Sequence, residues 1–156
     1  MKGLIIYYST SGNTENLAKK IQNDLGCDLL KVEVEKTYGN FLSSVIRVAG
    51  ERKRNEITKV ITELPDLSAY DTIFVGAPVW YSEPPAFFSD FLHKCNFSEK
   101  TVIPFATSNG SGGDATTDKL IKDCSCGNAI LPFSTGKLKK ADYETWITSV
   151  KSKLSV

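Results

Sequence analysis

Apolar residues in this chain follow two rhythms that take turns. Solid or alternating runs of strand length give way to stretches with apolar positions three and four apart, the helical period. Gly3–Tyr8 is a solid run, as in a strand covered on both faces. Leu17, Ala18, Ile21 and Leu25 predict a helix over Asn13–Leu25, with Gly26 at its left-handed stop. From Asp28 to Glu35 the pattern alternates, Leu30, Val32 and Val34 against Leu29, Lys31, Glu33 and Glu35, which predicts an edge strand solvated on one face. Phe41, Leu42, Val45, Ile46, Val48 and Ala49 predict a helix capped by Asn40 and weakened by Gly50, and residues 51–56 read as a solvated loop or face. Ile57, Val60, Ile61 and Leu64 fit a second helical piece, ended by Pro65.

The second half repeats the alternation. Asp71–Ala77 is a solid strand. Phe87, Phe88, Phe91, Leu92 and Cys95 then form the stripe of a helix whose first turn takes Pro85 and which leaves His93 on the surface. Thr101–Thr107 is a strand containing Pro104, which cannot donate to a ladder and predicts a gap or bulge there. A helix over Ala115–Cys124, a last strand over Asn128–Phe133 and a final helix behind Asp142, carrying Tyr143, Trp146, Ile147, Val150 and Leu154, complete the pattern. Five strands alternating with helices predict an α/β fold of three layers, a doubly wound parallel sheet, with residues 1–156 as one domain.

Three inter-element stretches carry unusual chemistry. Ser9, Thr10, Ser11, Gly12, Asn13 and Thr14 hold four hydroxyls and no apolar side chain, immediately before a helix. Free amides and a partial positive charge at a helix start suit a phosphate, and this loop has no Lys or Arg, so its cradle would be built of dipoles. Pro78, Val79, Trp80 and Tyr81 place two aromatic rings at the end of the third strand. Ser108, Asn109, Gly110, Ser111, Gly112 and Gly113 offer backbone that a ligand can approach closely. In a parallel sheet all strand carboxyl ends lie on one side, so the three loops are expected to converge on one rim. A ligand with a phosphate at one end and a flat hydrogen-bonding ring at the other would match them.

Composition narrows the choice. With 156 residues and 41% apolar content the chain can build a real core. No run approaches the ~18 apolar residues of a membrane span, and Met1-Lys2-Gly3 leads straight into the first strand, so a cytoplasmic location is expected. The net charge of +1 gives no case for nucleic acid. Cys27, Cys95, Cys124 and Cys126 lack metal-ligand spacing, and His93 is the only histidine, so no metal site is expected and the cysteines read as reduced thiols. The first loop lacks the acidic residues of a receiver domain and the Cys-x5-Arg of a small tyrosine phosphatase; Gly-x-Gly-x-x-Gly and Gly-x4-Gly-Lys are missing as well. With one histidine placed in a helix, a nucleophilic triad is not expected either, and no catalytic side chain is assigned.

Ser9-Thr10-Ser11-Gly12-Asn13-Thr14 resembles the phosphate-binding loop of flavodoxins, (S/T)-x-T-G-x-T, with Ser11 at a position usually held by Thr. Ala77-Pro78-Val79-Trp80-Tyr81 and Phe105-Ala106-Thr107-Ser108-Asn109-Gly110-Ser111-Gly112 resemble the second and third loops of a flavodoxin subgroup, so the similarity covers nearly the whole chain. The resemblance implies a strand order of 2-1-3-4-5 and non-covalent FMN, the arrangement for which flavodoxin itself is the standard example. By position, residues 9–14 would hold the phosphate, Trp80 would cover one face of the ring system and residues 108–113 would approach its pyrimidine edge. It implies a carrier moving electrons between redox partner proteins, a reductase and an acceptor, through transient contacts. The near-neutral charge, the lack of a tyrosine after Gly113 and the lack of a glycine in 78–85 depart from better-known members. An NAD(P)H-dependent FMN or quinone reductase on the same fold is the alternative, and a cofactor-free binding module is a third class.

Overall fold

The computed structural model describes residues 1–36, 58–136 and 141–156. The expected helix over 40–49 and the loop at 51–56 lie outside these residues. In chain order the elements are β1 (Gly3–Tyr7), α1 (Asn13–Leu25), β2 (Asp28–Lys31), β3 (Thr72–Pro78), α2 (Ala86–His93), β4 (Thr101–Ser108), α3 (Gly113–Asp123), β5 (Asn128–Ala129), β6 (Phe133–Gly136) and α4 (Tyr143–Leu154). All the strands pair in parallel, in the order β2-β1-β3-β4-β5, with β6 also on β4.

Alternate side chains of the inner strands leave on opposite faces, and each face has its own core. Ile6, Ile73, Val75 and Val102 pack with Phe88, Phe91 and Leu92 of α2 and Leu120 of α3. Ile5, Phe74, Ile103 and Phe105 pack with Ala18 and Ile21 of α1 and Trp146, Ile147 and Val150 of α4. This two-sided burial is why β1, β3 and β4 read as solid apolar runs. The helix ends also follow sequence chemistry. Gly26, at φ 69°, returns its N–H to Gln22 O, and Asp142 accepts the amides of Glu144 and Thr145.

Pro104 marks the ladder gap that the sequence predicts. Its register with Val75 of β3 is regular, and the break is on the other side. There β5 pairs with Thr101 and Val102, and β6 resumes at Phe105. Val102 O accepts Ile130 N–H, so even-numbered residues of β4 face this edge and Pro104 meets it without a donor. The fifth strand, expected as one run over Asn128–Phe133, is therefore two pieces, with Leu131 at φ 47° and Pro132 between them.

A second correction concerns the helical piece through Val60, Ile61 and Leu64. Residues 58–64 contain no helix. Val60 bridges Val34 antiparallel, Ile61 N–H donates to Glu33 O, and Glu35 N–H donates to Lys59 O. Beyond Lys31 the edge strand has backbone groups without a neighbour, and this segment supplies one. Ile61 and Leu64 are half exposed, so their helical spacing buries no stripe. The alternation of Val32 and Val34 inward against Glu33 and Glu35 outward holds.

Candidate functional site

Loops follow β1, β3 and β4 at the carboxyl edge of the sheet, and hydrogen bonds join them. The first loop enters α1 through Gly12, the residue before the helix, at φ 87°. A side chain there would be strained, and glycine is not. The first helical bond runs from Asn16 N–H to Gly12 O, and Glu15 N–H donates to Ser9 Oγ at 3.2 Å. The remaining first-turn donors are the amides of Asn13 and Thr14. Asn13 Nδ2 donates to Ser11 Oγ at 3.3 Å. Among the described residues, Thr10 Oγ1 is buried and has no hydrogen-bond partner.

Thr14 is buried, and its Oγ1 lies 2.8 Å from Oγ1 of Thr107, the penultimate residue of β4. Thr107 O accepts Val79 N–H at 2.9 Å, which ties in the second loop. There Trp80 and Glu83 exchange backbone hydrogen bonds of 2.8 and 3.2 Å around Tyr81 and Ser82, both at positive φ. That is the pattern of a type I′ turn without glycine. The Trp80 ring stands edge-on to Tyr8 (6.0 Å, 88°) and Phe87 (6.1 Å, 74°) and is half-buried, whereas Tyr81 is 54% exposed.

The third loop closes on the second. A Cβ on Gly112 (φ 89°) would sit 2.7 Å from Ser82 Oγ, so this approach requires glycine. Within the loop, Ser108 Oγ accepts Gly110 N–H and donates to Ser111 O. A cavity of about 270 Å³ lies between residues 110–115 and Ser134–Gly136. A second, of about 360 Å³, is lined by Tyr8, Ser9, Thr10, Lys31, Glu33 and their apolar neighbours. The structure thus brings residues 9–14, 78–81 and 108–113 to one rim.

Three further contributors lie outside the residues assigned to the site from the sequence. Thr107 joins the first loop to β4, and its hydroxyl at the end of an otherwise apolar strand is the signal that could reveal it. Ser82 carries the contact with Gly112. Lys31 comes from β2 and ion-pairs with Glu15 of α1 at 2.9 Å, beside Lys19 at 2.7 Å. Hydrogen bonds from these two lysines hold the Glu15 carboxyl down at about 2.

The thiols stand apart from this chemistry. Burial pushes Cys27 and Cys95 up to about 11 and raises Cys124 further, and all four cysteines are free. His93 Nε2 lies 3.0 Å from the buried Asp123 Oδ1, at the far ends of α2 and α3. Among the described residues there is no cluster that could hold a metal ion, and no helix long and apolar enough to cross a membrane.

The flavodoxin family model matches residues 2–150. The chain belongs to the flavodoxin family. Flavodoxin from Haemophilus influenzae is 33% identical over 102 residues, which are 63% of this chain and 45% of the relative's. The chain spans about half the length of the curated relatives it matches. Among solved structures, a candidate flavoprotein from Bacteroides uniformis superposes with a TM-score of 0.79 at 26% identity, covering 96% of this chain and 97% of that one. A Lactobacillus acidophilus flavoprotein in complex with FMN gives 0.72 at 23% identity, covering 94% and 98%, and so speaks for the fold.

Proposed function

We propose that this flavodoxin-family chain binds FMN non-covalently at the carboxyl rim and carries electrons between protein partners by transient contact. One observation carries the reading: Thr107 joins the phosphate-loop helix to the aromatic loop through Thr14 and Val79, while Gly112 rests on Ser82. The donor chemistry fits the cofactor. Hydroxyls of Ser9, Thr10 and Ser11 and the first-turn amides of α1 would hold the phosphate, and the buried Thr10 Oγ1 has a hydrogen bond still to make. Trp80 and Tyr81 would flank the ring system, and residues 108–113 would meet its polar edge through backbone groups. The flavin supplies the redox chemistry; the chain orients it and keeps water from part of its surface.

No side chain at the rim needs to move a proton for this task. The test is titration of the flavin-free protein with FMN, following flavin fluorescence. Saturable quenching supports the reading, and unchanged fluorescence at micromolar protein refutes it. The net charge of +1 favours a second reading, an NAD(P)H-dependent flavin or quinone reductase, because long-range steering toward a charged partner is weak. Sustained NAD(P)H oxidation with a quinone, by this chain alone, would decide for the enzyme.

A further inference from the structure

The geometry points to Thr107 as a positioning residue that aims the Thr14 hydroxyl at an anion seated on the head of α1. This rests on the FMN reading. Each hydroxyl carries one proton and two lone pairs, so the 2.8 Å contact between the two threonines uses one proton of the two. If Thr14 donates to Thr107, it shows the loop only lone pairs. If Thr107 donates to Thr14, the Thr14 proton is released to point into the loop. A phosphate monoester dianion only accepts, so it selects the second arrangement: Thr107 O–H to Thr14 Oγ1, and Thr14 O–H to a phosphate oxygen. Each bond in such a chain polarises the next.

Burial gives Thr107 this role in place of water. Thr14 is 1% exposed and Thr107 8%. Threonine in a helix divides between two χ1 rotamers, and the Thr107 contact favours one of them. The side chain of Thr107 is also separable from its backbone duties. Its carbonyl holds Val79 N–H, and its place in β4 is set by register with Pro78 and Thr135. Valine would keep the strand, the shape and these backbone bonds, and would remove only the hydroxyl.

The test compares two ligands that differ by the phosphate alone. Wild type, Thr107→Val and Thr107→Ser are titrated with FMN and with riboflavin. Thr107→Val is expected to weaken FMN about five- to tenfold and to leave riboflavin within about twofold, the size of one ordinary hydrogen bond between neutral groups. Thr107→Ser, which keeps the hydroxyl, is expected to bind both as wild type does. The 31P resonance of bound FMN should shift in Thr107→Val and stay in place in Thr107→Ser. Riboflavin binding shows that the variant site is folded; if valine disrupts it, Thr107→Ala replaces it under the same criteria. Unchanged or tighter FMN binding, or equal losses for both flavins, would overturn the role of Thr107. Wild type that binds neither flavin would remove the FMN reading, and this inference with it.

Discussion

Gly76→Ala is the sharpest perturbation the core offers. Gly76 is buried in β3, directly opposite Phe105 of β4 in the parallel register. A Cβ at Gly76 would stand 2.0 Å from Phe105 Cζ and 2.2 Å from Cε2. Phe105 is fully buried, so its ring has no open side to move into. Overpacking of this kind costs about 1–3 kcal/mol and more where a neighbour cannot yield, so we expect about 3 kcal/mol. Phe105→Ala should cost about 4 kcal/mol by leaving a cavity. In the double variant the new methyl sits in space the ring has vacated. Its cost should fall short of the sum of the singles by about 1–3 kcal/mol, the range for side chains in contact. Urea unfolding followed by circular dichroism, with the slope checked for constancy, measures all four corners. Because Gly76 O accepts Tyr8 N–H at 3.0 Å just below the first loop, the single variant should also weaken flavin binding. A Gly76→Ala cost below about 1 kcal/mol, or strict additivity with Phe105→Ala, would refute the contact.

The Glu15 carboxyl lies at about 2 in the folded chain against 4.5 ordinarily. Its contribution is therefore present above pH 4.5 and is lost as the pH falls toward 2; since the pair is at the surface, Glu15→Gln should reduce the stability lost between pH 4.5 and 2 by less than ~1 kcal/mol, and by less again in high salt. Asp142→Ala removes the acceptor for the Glu144 and Thr145 amides and should fray the start of α4, read as a lowered Tm. Lys119→Met leaves the buried Asp123 with His93 on the same oxygen, while its Oδ2 already has no partner; a loss of about 2–4 kcal/mol is expected in urea. Trp80→Ala should weaken FMN about tenfold and reduce quenching of bound flavin, as loss of an aromatic contact would.

The parts legible in the sequence are those where one residue type has one structural meaning. Asn13–Leu25 with Gly26 behind it is the observed α1, because helical period and a left-handed stop agree. Pro104 foretold the gap, since a missing N–H must fall somewhere in the ladder. What could not be read is pairing between segments distant in the chain. Nothing local separates the spacing of Val60, Ile61 and Leu64 from a helix; only the open edge beyond Lys31 makes those residues extended. Splitting of the last strand has the same origin, because Pro104 acts on residues 130–132 across the sheet. The first loop was legible as a motif, yet its anchor was not. Thr107 is 93 positions from Thr14, and no pattern along the chain couples them.

Each of the three rim loops turns on backbone at positive φ. Gly12, Tyr81, Ser82 and Gly112 all have positive φ, and they belong to the three loops that meet. At Gly12 and Gly112 glycine adopts this without penalty, but Tyr81 and Ser82 each carry a cost on the order of 1 kcal/mol. The compensation is visible: two backbone hydrogen bonds close the turn, and Trp80 beside it packs against Tyr8 and Phe87. A turn held by cross-bonds and a packed indole is stiff, whereas a glycine turn would be soft. Replacing Ser82 with Gly should therefore stabilise the backbone at φ 66° and loosen the turn's hold on Trp80, two effects of opposite sign. If the stiffness serves the flavin, Ser82→Gly raises Tm slightly while weakening FMN. If it serves only the fold, both rise or stay level, and thermal melts with and without FMN separate the two.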